Sequence, residues 1–515
     1  MQTNIGELLQ RRALLSAKRT AYVDSVTGQR LDFSTLNERC NQVANGLVAA
    51  GVRPGDRVAL LMVNGAEFIE SYFAVAKIGA VVVPLNWRLV SDELEFILKD
   101  SGATTLIFSD NFIDAATELN SRGDKTDILR WYQVSANREG ESHFCQDFKT
   151  FMANSPSTEP ELQSFDDDML YIMYTSGTTG LPKGVVHTHN TTFWALLTIA
   201  NTCDTREGDI YLAALPMFHV GALTPITLNI YRGVTSVVMS DFEPKRAWEL
   251  IQEQKITIGL LVPAMLNFMI QVPNLDRFNY ASLRWMQSGA SPLPTSLIQQ
   301  YADIGIEIQQ IYGLTETCGP ACVIDAENAI SKLGSTGRAF YHTEVRIVDG
   351  AGNDCPVGEQ GEVWVRGPHI MTGYWNRPDA TAETLIEGWL RTGDVAAMDE
   401  EGFVYIQDRI KDMIISGGEN VYPAEIENVI LSHPGVAEVA VIGQPSERWG
   451  ESPFAVVVVS GEGVSAAELL QFCDGKLARF KLPRGAAFID TIPRNPSGKV
   501  LKRILREQFP GPAPE

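Results

Sequence analysis

The sequence predicts an α/β protein with a large N-terminal domain of parallel α/β layers, a small β subdomain and a smaller α/β C-terminal domain. From residue 21 onward, short β-rich runs alternate with helical stretches, which is typical of parallel sheets covered by helices. Between Gly334 and Phe403 the chain consists instead of glycine-punctuated β segments. After Arg409 a second, compact α/β pattern begins. A chain of 515 residues is also too long for one hydrophobic core, so at least two domains are expected.

The first 20 residues show one amphipathic pattern. It predicts a helix with four apolar side chains turned inward, namely Ile5, Leu8, Leu9 and Leu15. The far end of this helix is basic, with Arg11, Arg12, Lys18 and Arg19. A solvated helix face is the simpler interpretation of these charges, and peripheral attachment to anionic lipid is the alternative that stays open.

The alternating pattern then runs in two blocks. In the first, strands are predicted at residues 58–62, 80–84 and 105–108, and helices at 67–78 and 92–99. Residues 155–161 are predicted to be a polar surface connection. In the second block, strands are predicted at 210–214, 236–239 and 259–262, with helices at 244–254 and 264–271.

The β subdomain and the C-terminal domain are shorter than these two blocks and contain fewer predicted elements. The β subdomain has predicted strands at 344–349 and 362–366. The C-terminal piece has predicted helices at 424–431 and 466–478 and strands at 439–442 and 454–459. We therefore expect a domain of residues 1–409, with subregions of about 1–160, 161–333 and 334–409, followed by a domain of residues 410–515.

Composition and charge exclude several classes of protein. The net charge of −21, from 42 basic and 63 acidic residues, argues against a nucleic-acid binder, whose affinity depends on phosphate neutralisation. The N-terminus has no apolar signal core, and the longest apolar runs have the length of core strands. We therefore expect a protein of the reduced cytosol, without a transmembrane segment and with peripheral membrane contact as the open alternative.

Neither the cysteines nor the paired histidines make a convincing metal site. The seven cysteines are an odd number and scattered; Cys318 and Cys322 would share a helix face, but no third or fourth ligand lies near them in sequence. His187 and His189 flank one threonine. A metal pair is one interpretation of these histidines, and a structural or loop-positioning role is the favoured one.

The segment from Tyr174 to Gly184 is the richest in chemistry. It reads Tyr-Thr-Ser-Gly-Thr-Thr-Gly-Leu-Pro-Lys-Gly and follows an apolar run, residues 169–173, that reads as a strand. Small, hydroxylated residues cannot pack a core, but their N–H groups and hydroxyls can close on phosphate oxygens, with Lys183 as a point charge. Pro182 stands where a Walker A motif requires its second glycine. The segment therefore predicts a phosphate-binding loop of another kind.

This segment resembles the phosphate loop of the adenylate-forming enzymes, which include acyl-CoA synthetases, carrier-protein adenylation domains and luciferases. Six further stretches match that superfamily in the same order: residues 215–219, 288–290 with 310–316, 389–394, 408–412, 415–427 and 493–499. The narrower likeness is to bacterial fatty-acyl-CoA synthetases of the long- and very-long-chain type, through residues 217–219, 262–269 and 411–427. Two departures, Gly-Arg-Ala at 337–339 and Phe480 in place of a tyrosine, touch no catalytic role.

The resemblance implies a role for each of these motifs. Lys499 would be the catalytic lysine of adenylation, and His219 would line the boundary between the acyl site and the pantetheine tunnel. Lys183 and Thr315 complete the implied catalytic set. Mg²⁺ would be held by Glu316 with Thr175 near the same ion, since a hard cation needs oxygen ligands. Lys411 would be the hinge of a mobile C-terminal domain.

The implied nucleotide and CoA sites use more residues. Tyr312 would stack on adenine, and Asp394 would accept from the ribose hydroxyls. Arg409 would reach the nucleotide. The full implied set for ATP, Mg²⁺ and coenzyme A is Thr175, Ser176, Gly177, Thr178, Thr179, Gly180, Lys183, Ser288, Gly289, Ala290, Tyr312, Gly313, Thr315, Glu316, Asp394, Arg409, Ser416, Gly417, Gly418 and Lys499.

The sequence thus predicts an ATP-dependent acyl-CoA synthetase that converts a carboxylic acid to acyl-AMP and then to acyl-CoA. A medium- to long-chain fatty acid is the expected substrate, and aromatic or alicyclic acids such as hydroxycinnamates are the alternative. A carrier-protein adenylation module, an oxygen-dependent luciferase and a non-catalytic binding protein are rival interpretations. A homodimer is a further expectation.

Overall fold

The computed structural model describes residues 2–135, 143–175, 182–291, 293–409, 412–416, 419–446, 448–461, 463–474, 476–477, 479–494 and 500–511. Its α-helices are α1 (Ile5–Ser16), α2 (Phe33–Ala49), α3 (Ala66–Lys77), α4 (Ser91–Ser101), α5 (Ile113–Ser121), α6 (Phe148–Ala153), α7 (His189–Thr202), α8 (Val220–Arg232), α9 (Pro244–Gln254), α10 (Pro263–Ile270), α11 (Thr295–Asp303), α12 (Pro378–Thr384), α13 (Pro423–Leu431), α14 (Ala466–Cys473) and α15 (Lys502–Gln508).

The strands are β1 (Thr20–Asp24), β2 (Arg30–Asp32), β3 (Arg57–Leu61), β4 (Val81–Pro84), β5 (Ala103–Ser109), β6 (Arg130–Val134), β7 (Gln146–Asp147), β8 (Met169–Thr175), β9 (Lys183–Thr188), β10 (Ile210–Ala213), β11 (Thr235–Val238), β12 (Ile258–Leu261), β13 (Trp285–Ser288), β14 (Ile308–Tyr312), β15 (Cys322–Val323), β16 (Arg338–Ala339), β17 (Glu344–Val348), β18 (Gln360–Arg366), β19 (Gly373–Tyr374), β20 (Leu385–Ile386), β21 (Trp389–Met398), β22 (Val404–Arg409), β23 (Ile414–Ser416), β24 (Glu419–Val421), β25 (Val436–Ser446), β26 (Gly450–Val459) and β27 (Gly485–Phe488).

Two large, mainly parallel sheets form the framework, which confirms the predicted α/β class. One has the order β16-β15-β14-β13-β12-β10-β11-β1-β2, and the other β19-β9-β8-β4-β3-β5-β6-β7. Their parallel pairs arise because helices connect successive strands, and the central strands are buried on both faces, as the run Val81–Pro84 shows. The two sheets and the helices α2, α3, α7 and α8 contribute to one shared apolar core.

Two smaller sheets follow along the chain. Strands β17, β18, β21 and β20, with β22 on β21, form an antiparallel five-stranded sheet in the segment predicted to be a β subdomain. Strands β24, β23, β26 and β25, with β27 on β26, form the last sheet, against which α13 packs. The boundary at residues 409–410 and the hinge stay predictions.

The first helix corrects one expectation. Ile5 and Leu9 are buried and Leu8 is partly buried, as the pattern predicted. Leu15, however, is 77% exposed, and Leu14 beside it is 80% exposed. The helical period places Leu15 near the edge of the buried face, but in the last turns of α1 it is Arg12 and Ala13 that turn inward, and Arg12 donates to the carbonyl oxygens of Ile230 and Tyr231 in α8.

The connection at residues 155–161 lies at the surface, as predicted, and hydrogen bonds hold it in place. The ammonium of Lys77, on a fully buried side chain, donates to Asn37 Oδ1 at 2.7 Å, Asn41 Oδ1 at 2.6 Å and Glu159 Oε2 at 2.8 Å. Asn45 Nδ2 also donates to the carbonyl of Thr158 at 2.8 Å. A buried cation is tolerated only when it is paired and hydrogen-bonded, so these acceptors fix the segment that leads to β8.

Three of the seven histidines are buried and a fourth, His219, is half-buried, and desolvation lowers the pKa of each of the four to about 4. They are His187, His189, His219 and His369. Because the folded state binds their protons less tightly than the unfolded chain does, their contribution to stability is complete above about pH 6.5 and is lost as the pH falls toward 4.

We therefore expect the free energy of unfolding to fall between pH 7.5 and pH 5.5, with a contribution on the order of 1 kcal/mol from each of these histidines. Glu70 opposes them in part, because burial raises its pKa to about 7 and the folded state therefore takes up its proton in this interval. Urea unfolding at the two pH values measures this difference, and the interval lies above the range in which ordinary carboxylates titrate. An unfolding free energy that is unchanged over this interval would contradict buried, neutral histidines.

In the part of the chain that the structure describes, no helix is both long enough and apolar enough to cross a bilayer.

Candidate active site

The base of the predicted phosphate-binding loop is a β-hairpin. Strand β8 ends at Thr175 and strand β9 begins at Lys183, and these two residues face each other in antiparallel register. The Thr175 hydroxyl lies 3.5 Å from the Lys183 carbonyl oxygen. Because β8 lies beside the parallel strand β4, the hairpin emerges at the carboxyl end of a parallel sheet, where α/β proteins bind ligands. The loop residues Ser176, Gly177, Thr178, Thr179 and Gly180 lie outside the described residues.

The predicted metal ligand Glu316 lies beside this hairpin. It sits in a short 3-10 helix, Thr315–Thr317, that follows β14. His187 of β9 donates through Nε2 to the carbonyl oxygen of Thr315 at 2.7 Å, and its Nδ1 accepts from the Thr191 hydroxyl at 3.1 Å. The neutral imidazole therefore fixes Thr315 and Glu316 against the exit strand of the phosphate loop.

The two histidines of this region are structural, as the favoured interpretation predicted. The Nδ1 atom of His189 accepts from the backbone N–H of Ile5 at 3.0 Å, which anchors the start of α1. His187 bonds in a different direction, to Thr315. Within the described residues no group of three or more histidine, cysteine and acidic side chains is placed to hold a metal ion. The different directions of the two rings argue against the metal-pair alternative.

The cysteine pair does not share a helix face. Cys318 caps the 3-10 helix with φ +54°, and Cys322 begins strand β15. Cys318 is buried beside the Tyr171 hydroxyl, 3.2 Å from its sulfur, and burial raises the pKa of the thiol. The i,i+4 spacing suggested a helix, but Gly319 and Pro320 between the two residues end it.

The predicted adenine and ribose residues meet directly. The Tyr312 hydroxyl, at the end of β14, donates to Asp394 Oδ2 at 2.7 Å. Burial, followed by the Asp394 charge, raises the pKa of the Tyr312 phenol above its usual range. Asp394 is only 5% exposed and lies opposite Arg409 in the β21–β22 pair. The Arg409 side chain lies outside the described part of the structure.

Two glycines let backbone segments approach closely at this place. A Cβ on Gly313 would lie 1.5 Å from the Gly319 carbonyl oxygen, and one on Gly289 would lie 2.3 Å from the Ile311 carbonyl oxygen. Ala290 follows with φ +70°, a conformation that is uncommon for residues other than glycine. The backbone of residues 288–290 therefore packs closely against β14, next to Tyr312.

Two polar groups at this edge have no hydrogen-bond partner among the described residues. They are the hydroxyl of Ser288 and the amide oxygen Oε1 of Gln310, which are both buried. The two residues are register partners on the neighbouring strands β13 and β14. Buried polar atoms without a partner are costly, so they are suited to hydrogen bonds with a polar ligand.

His219 stands at the N-terminus of α8 in an apolar setting. Its ring centroid lies 4.4 Å from that of Phe218, whose ring in turn meets Trp87 edge to face at 6.1 Å. Burial, with a smaller contribution from Arg88, lowers the pKa of His219 to about 4. Nε2 of His219 has no partner among the residues that the structure describes. The side chain is therefore a neutral polar group on an apolar wall.

The C-terminal sheet carries the other predicted positions. Ser416 ends β23 and is buried. Asp412, next to the predicted hinge, pairs with Arg506 of α15 at 3.0 Å. Lys411, Gly417, Gly418 and Lys499 lie outside the described residues.

The residues at the hairpin fit the group that the sequence predicted. Glu316 offers carboxylate oxygens and Thr175 a hydroxyl, which are the hard oxygen ligands that Mg²⁺ accepts alongside substrate phosphates. Lys183 supplies a positive charge at the same place. The described residues at this place thus combine a cationic group, oxygen ligands and polar atoms that have no hydrogen-bond partner within the described structure.

The sequence did not single out Tyr374 and Asp100, which also contact this site. The Tyr374 hydroxyl donates to Glu316 Oε1 at 2.8 Å, and Asp100 Oδ2 accepts from the Tyr174 hydroxyl at 2.7 Å. The contacts span 58 and 74 positions along the chain, so no local pattern could have revealed them.

Comparison with known proteins gives two family matches. The AMP-binding enzyme family matches residues 9–375, and the AMP-binding enzyme C-terminal domain matches residues 425–499. The long-chain-fatty-acid–CoA ligase FadD13 of Mycobacterium tuberculosis is 44% identical over 515 residues, covering 99% of this chain and 100% of the relative. The feruloyl-CoA synthase of an Amycolatopsis species is 39% identical over 507 residues, covering 98% of this chain and 99% of the relative.

A solved structure of a CoA synthetase is also similar to this chain over its full length. The o-succinylbenzoate CoA synthetase MenE of Bacillus subtilis, in complex with its acyl-adenylate intermediate OSB-AMP, is 33% identical. It superimposes with a TM-score of 0.87 and covers 99% of this chain and 100% of its own.

Proposed function

The chain belongs to the AMP-binding enzyme family, and from that premise we propose that it activates medium- to long-chain fatty acids. It is an AMP-forming acid–thiol ligase whose substrates are ATP, CoA and a carboxylic acid. The observation that carries the proposal on the acyl group is the full-length likeness to a long-chain-fatty-acid–CoA ligase. The apolar rings of Phe218 and Trp87 beside a neutral His219 support it, because an acyl chain gains free energy by burying its methylene groups against them.

In the first half-reaction the carboxylate attacks the α-phosphate of ATP and pyrophosphate leaves. The phosphate-loop hairpin would hold the leaving group through N–H groups, hydroxyls and Lys183. Asp394 would hold the ribose, and Lys499 would stabilise the charge that develops on the reacting oxygens. When Mg²⁺ is bound by Glu316 and Thr175, it neutralises phosphate charge. Positioning and electrostatics account for most of the catalysis in such transfers.

In the second half-reaction the CoA thiol attacks the acyl-adenylate and AMP leaves. The proposal is that the C-terminal domain turns about Lys411 between the two steps. Lys499 would leave the site, and the Gly417–Gly418 backbone would cover the pantetheine arm, since a side chain there would block it. The half-buried His219 would line the place where the acyl and thiol groups meet.

Aromatic acids are the second candidate substrates. The feruloyl-CoA synthase of Amycolatopsis is nearly as similar to this chain as FadD13 is, and it too matches over its full length. An apolar pocket discriminates one methylene group by only about 1–3 kcal/mol, so the apolar character of the pocket is compatible with both substrate classes.

We expect at least one saturated fatty acid of medium or long chain to show a higher kcat/KM than ferulate, benzoate and o-succinylbenzoate. The physical reason is the burial of methylene groups against an apolar wall, worth about 0.8 kcal/mol for each. The measurement is steady-state AMP release with a series of acids at fixed ATP and CoA. A larger kcat/KM for an aromatic acid than for every fatty acid in the series would overturn the acyl assignment while leaving the ligase activity intact.

We also propose peripheral membrane contact through the end of α1. Leu14 and Leu15 are 80% and 77% exposed, and the neighbouring side chains of Arg11 and Lys18 are 53% and 89% exposed. Apolar side chains flanked by cations suit an anionic lipid surface. Cosedimentation with anionic and zwitterionic vesicles tests this, and equal recovery in the two would argue against it. The homodimer stays a prediction that sedimentation velocity can test.

A further inference from the structure

Tyr374 contacts both charged groups that would hold Mg·ATP. Its hydroxyl donates to Glu316 Oε1 at 2.8 Å, and the Lys183 ammonium lies 5.1 Å from the centroid of its ring. Glu316 follows β14, whereas Lys183 begins β9. One side chain therefore links the predicted metal ligand to the predicted phosphate-binding cation, although β14 and β9 belong to different sheets.

The backbone of Tyr374 is held in place from several directions. It pairs with Val185 in the β19–β9 ladder, and its N–H donates to the Thr381 hydroxyl at 2.9 Å. The next residue, Trp375, donates its backbone N–H to the Gly184 carbonyl oxygen at 2.7 Å and its indole N–H to the Asp100 carbonyl oxygen at 3.0 Å. The tyrosine is thus fixed to the exit strand of the phosphate loop.

The same segment also reaches the entry strand of the loop. Arg377 pairs with Asp100 Oδ1 at 2.6 Å, and Asp100 Oδ2 accepts from the hydroxyl of Tyr174, which precedes Thr175. Residues 374–377 therefore brace both sides of the hairpin that carries the phosphate loop. A rigid brace at this place keeps Tyr374 at a set distance from Glu316 and Lys183.

The geometry points to Tyr374 as a positioning residue that orients Glu316 for Mg²⁺ and Lys183 for the triphosphate. This rests on the proposed function, because it assumes that Glu316 is the metal ligand. A carboxylate has about four acceptor positions, so one hydrogen bond from a phenol orients it and leaves capacity for an ion. The ring face attracts the ammonium and restricts its flexible stem. The hydroxyl and the ring thus have separate tasks.

This division predicts different results for two substitutions. Tyr374→Phe keeps the ring and removes the hydroxyl, so the metal-dependent part of nucleotide binding should weaken by about tenfold, the scale of one hydrogen bond to a charged group. Binding of the nucleotide without metal should stay within about twofold of wild type. Tyr374→Leu also removes the ring, so it should weaken both.

The experiment is calorimetric titration of the full chain with α,β-methylene-ATP, which cannot release pyrophosphate, in Mg²⁺ and in EDTA. Tyr22→Phe is the matched control, because the Tyr22 hydroxyl also donates to a carboxylate, Asp24 Oδ2 at 3.0 Å, far from the site in the β1–β2 ladder. Glu316→Gln and the double variant Glu316→Gln/Tyr374→Phe complete a thermodynamic cycle.

The cycle separates the possible results. If Tyr374 acts through Glu316, Tyr374→Phe has little further effect in the Glu316→Gln background. If Tyr374→Phe binds the Mg²⁺–nucleotide complex as tightly as wild type, the inference is overturned and the proposed function stands. The same holds if Tyr374→Phe weakens this binding equally in the wild-type and Glu316→Gln chains. If Glu316→Gln itself leaves the metal dependence unchanged, the assignment of Glu316 as the metal ligand fails, and the inference fails with it.

Discussion

Replacing Lys499 with alanine is expected to slow adenylate formation by about 10²–10³-fold and to leave thioester formation near the wild-type rate. An ammonium that contacts the reacting oxygens only in the first transition state contributes only to that step, and removing one such electrostatic contact typically costs this much. Paired single-turnover assays measure the two steps, one from ATP and acid, the other from acyl-adenylate and CoA.

Arg503→Ala is the matched control for this variant. Arg503 lies four positions further along, is 77% exposed and pairs only locally with Glu507 in the described structure. Its loss should change neither step by more than about twofold, because an exposed ion pair of this kind is worth about 0.3–0.5 kcal/mol. A comparable fall of both half-reactions in Lys499→Ala would mean that Lys499 supports the fold or CoA binding, which contradicts a domain that changes orientation between the steps.

Replacing Asp394 with alanine should lower kcat/KM for ATP by about 10²–10³-fold. In its proposed role the buried carboxylate offers two acceptors to the ribose hydroxyls, and two hydrogen bonds to a charged group are worth at least about 3 kcal/mol together. The variant should also lose most of the preference for ATP over 2′-deoxy-ATP, because the acceptor that distinguishes them is gone. Competition between the two nucleotides in the adenylation step measures this preference.

A preference that survives in Asp394→Ala would mean that Asp394 does not contact the ribose, even if the overall rate falls. Asp354→Asn serves as the control, since Asp354 is an exposed carboxylate of the same β subdomain that pairs with Arg346. Tyr312→Phe should give an intermediate loss, because it removes the hydrogen bond that orients Asp394 and keeps the carboxylate itself.

The strands, the helices and the phosphate-loop hairpin could be predicted because their signals are local. The apolar run before Tyr174 is β8, and the run around Val82 is β4. A strand that is buried on both faces of a parallel sheet is a short run of apolar residues, which can be recognised in the sequence. Gly313 could be assigned to the nucleotide site because the motif at residues 310–316 is specific to the adenylate-forming enzymes.

The rest depends on contacts between distant parts of the chain. The acceptors around Lys77, the bond from His187 to Thr315 and the contact of Tyr374 with Glu316 join residues 36 to 128 positions apart. Leu15 was expected inside because the helical period does not show that Arg12 and Ala13 take the inward positions in the last turns of α1. The Cys318–Cys322 spacing suggested a helix for a similar reason, since i,i+4 spacing alone does not exclude a turn.

The central claim, an AMP-forming acyl-CoA ligase that works through a bound acyl-adenylate, is tested most directly by product stoichiometry. The measurement is chromatographic quantification of AMP, pyrophosphate and acyl-CoA from the wild-type chain with a long-chain fatty acid, with and without CoA. With CoA, equal amounts of the three products should form over many turnovers. Without CoA, one equivalent of acyl-AMP should form per active site and AMP release should stall. Formation of ADP and phosphate, or sustained AMP release without CoA, would contradict the claim.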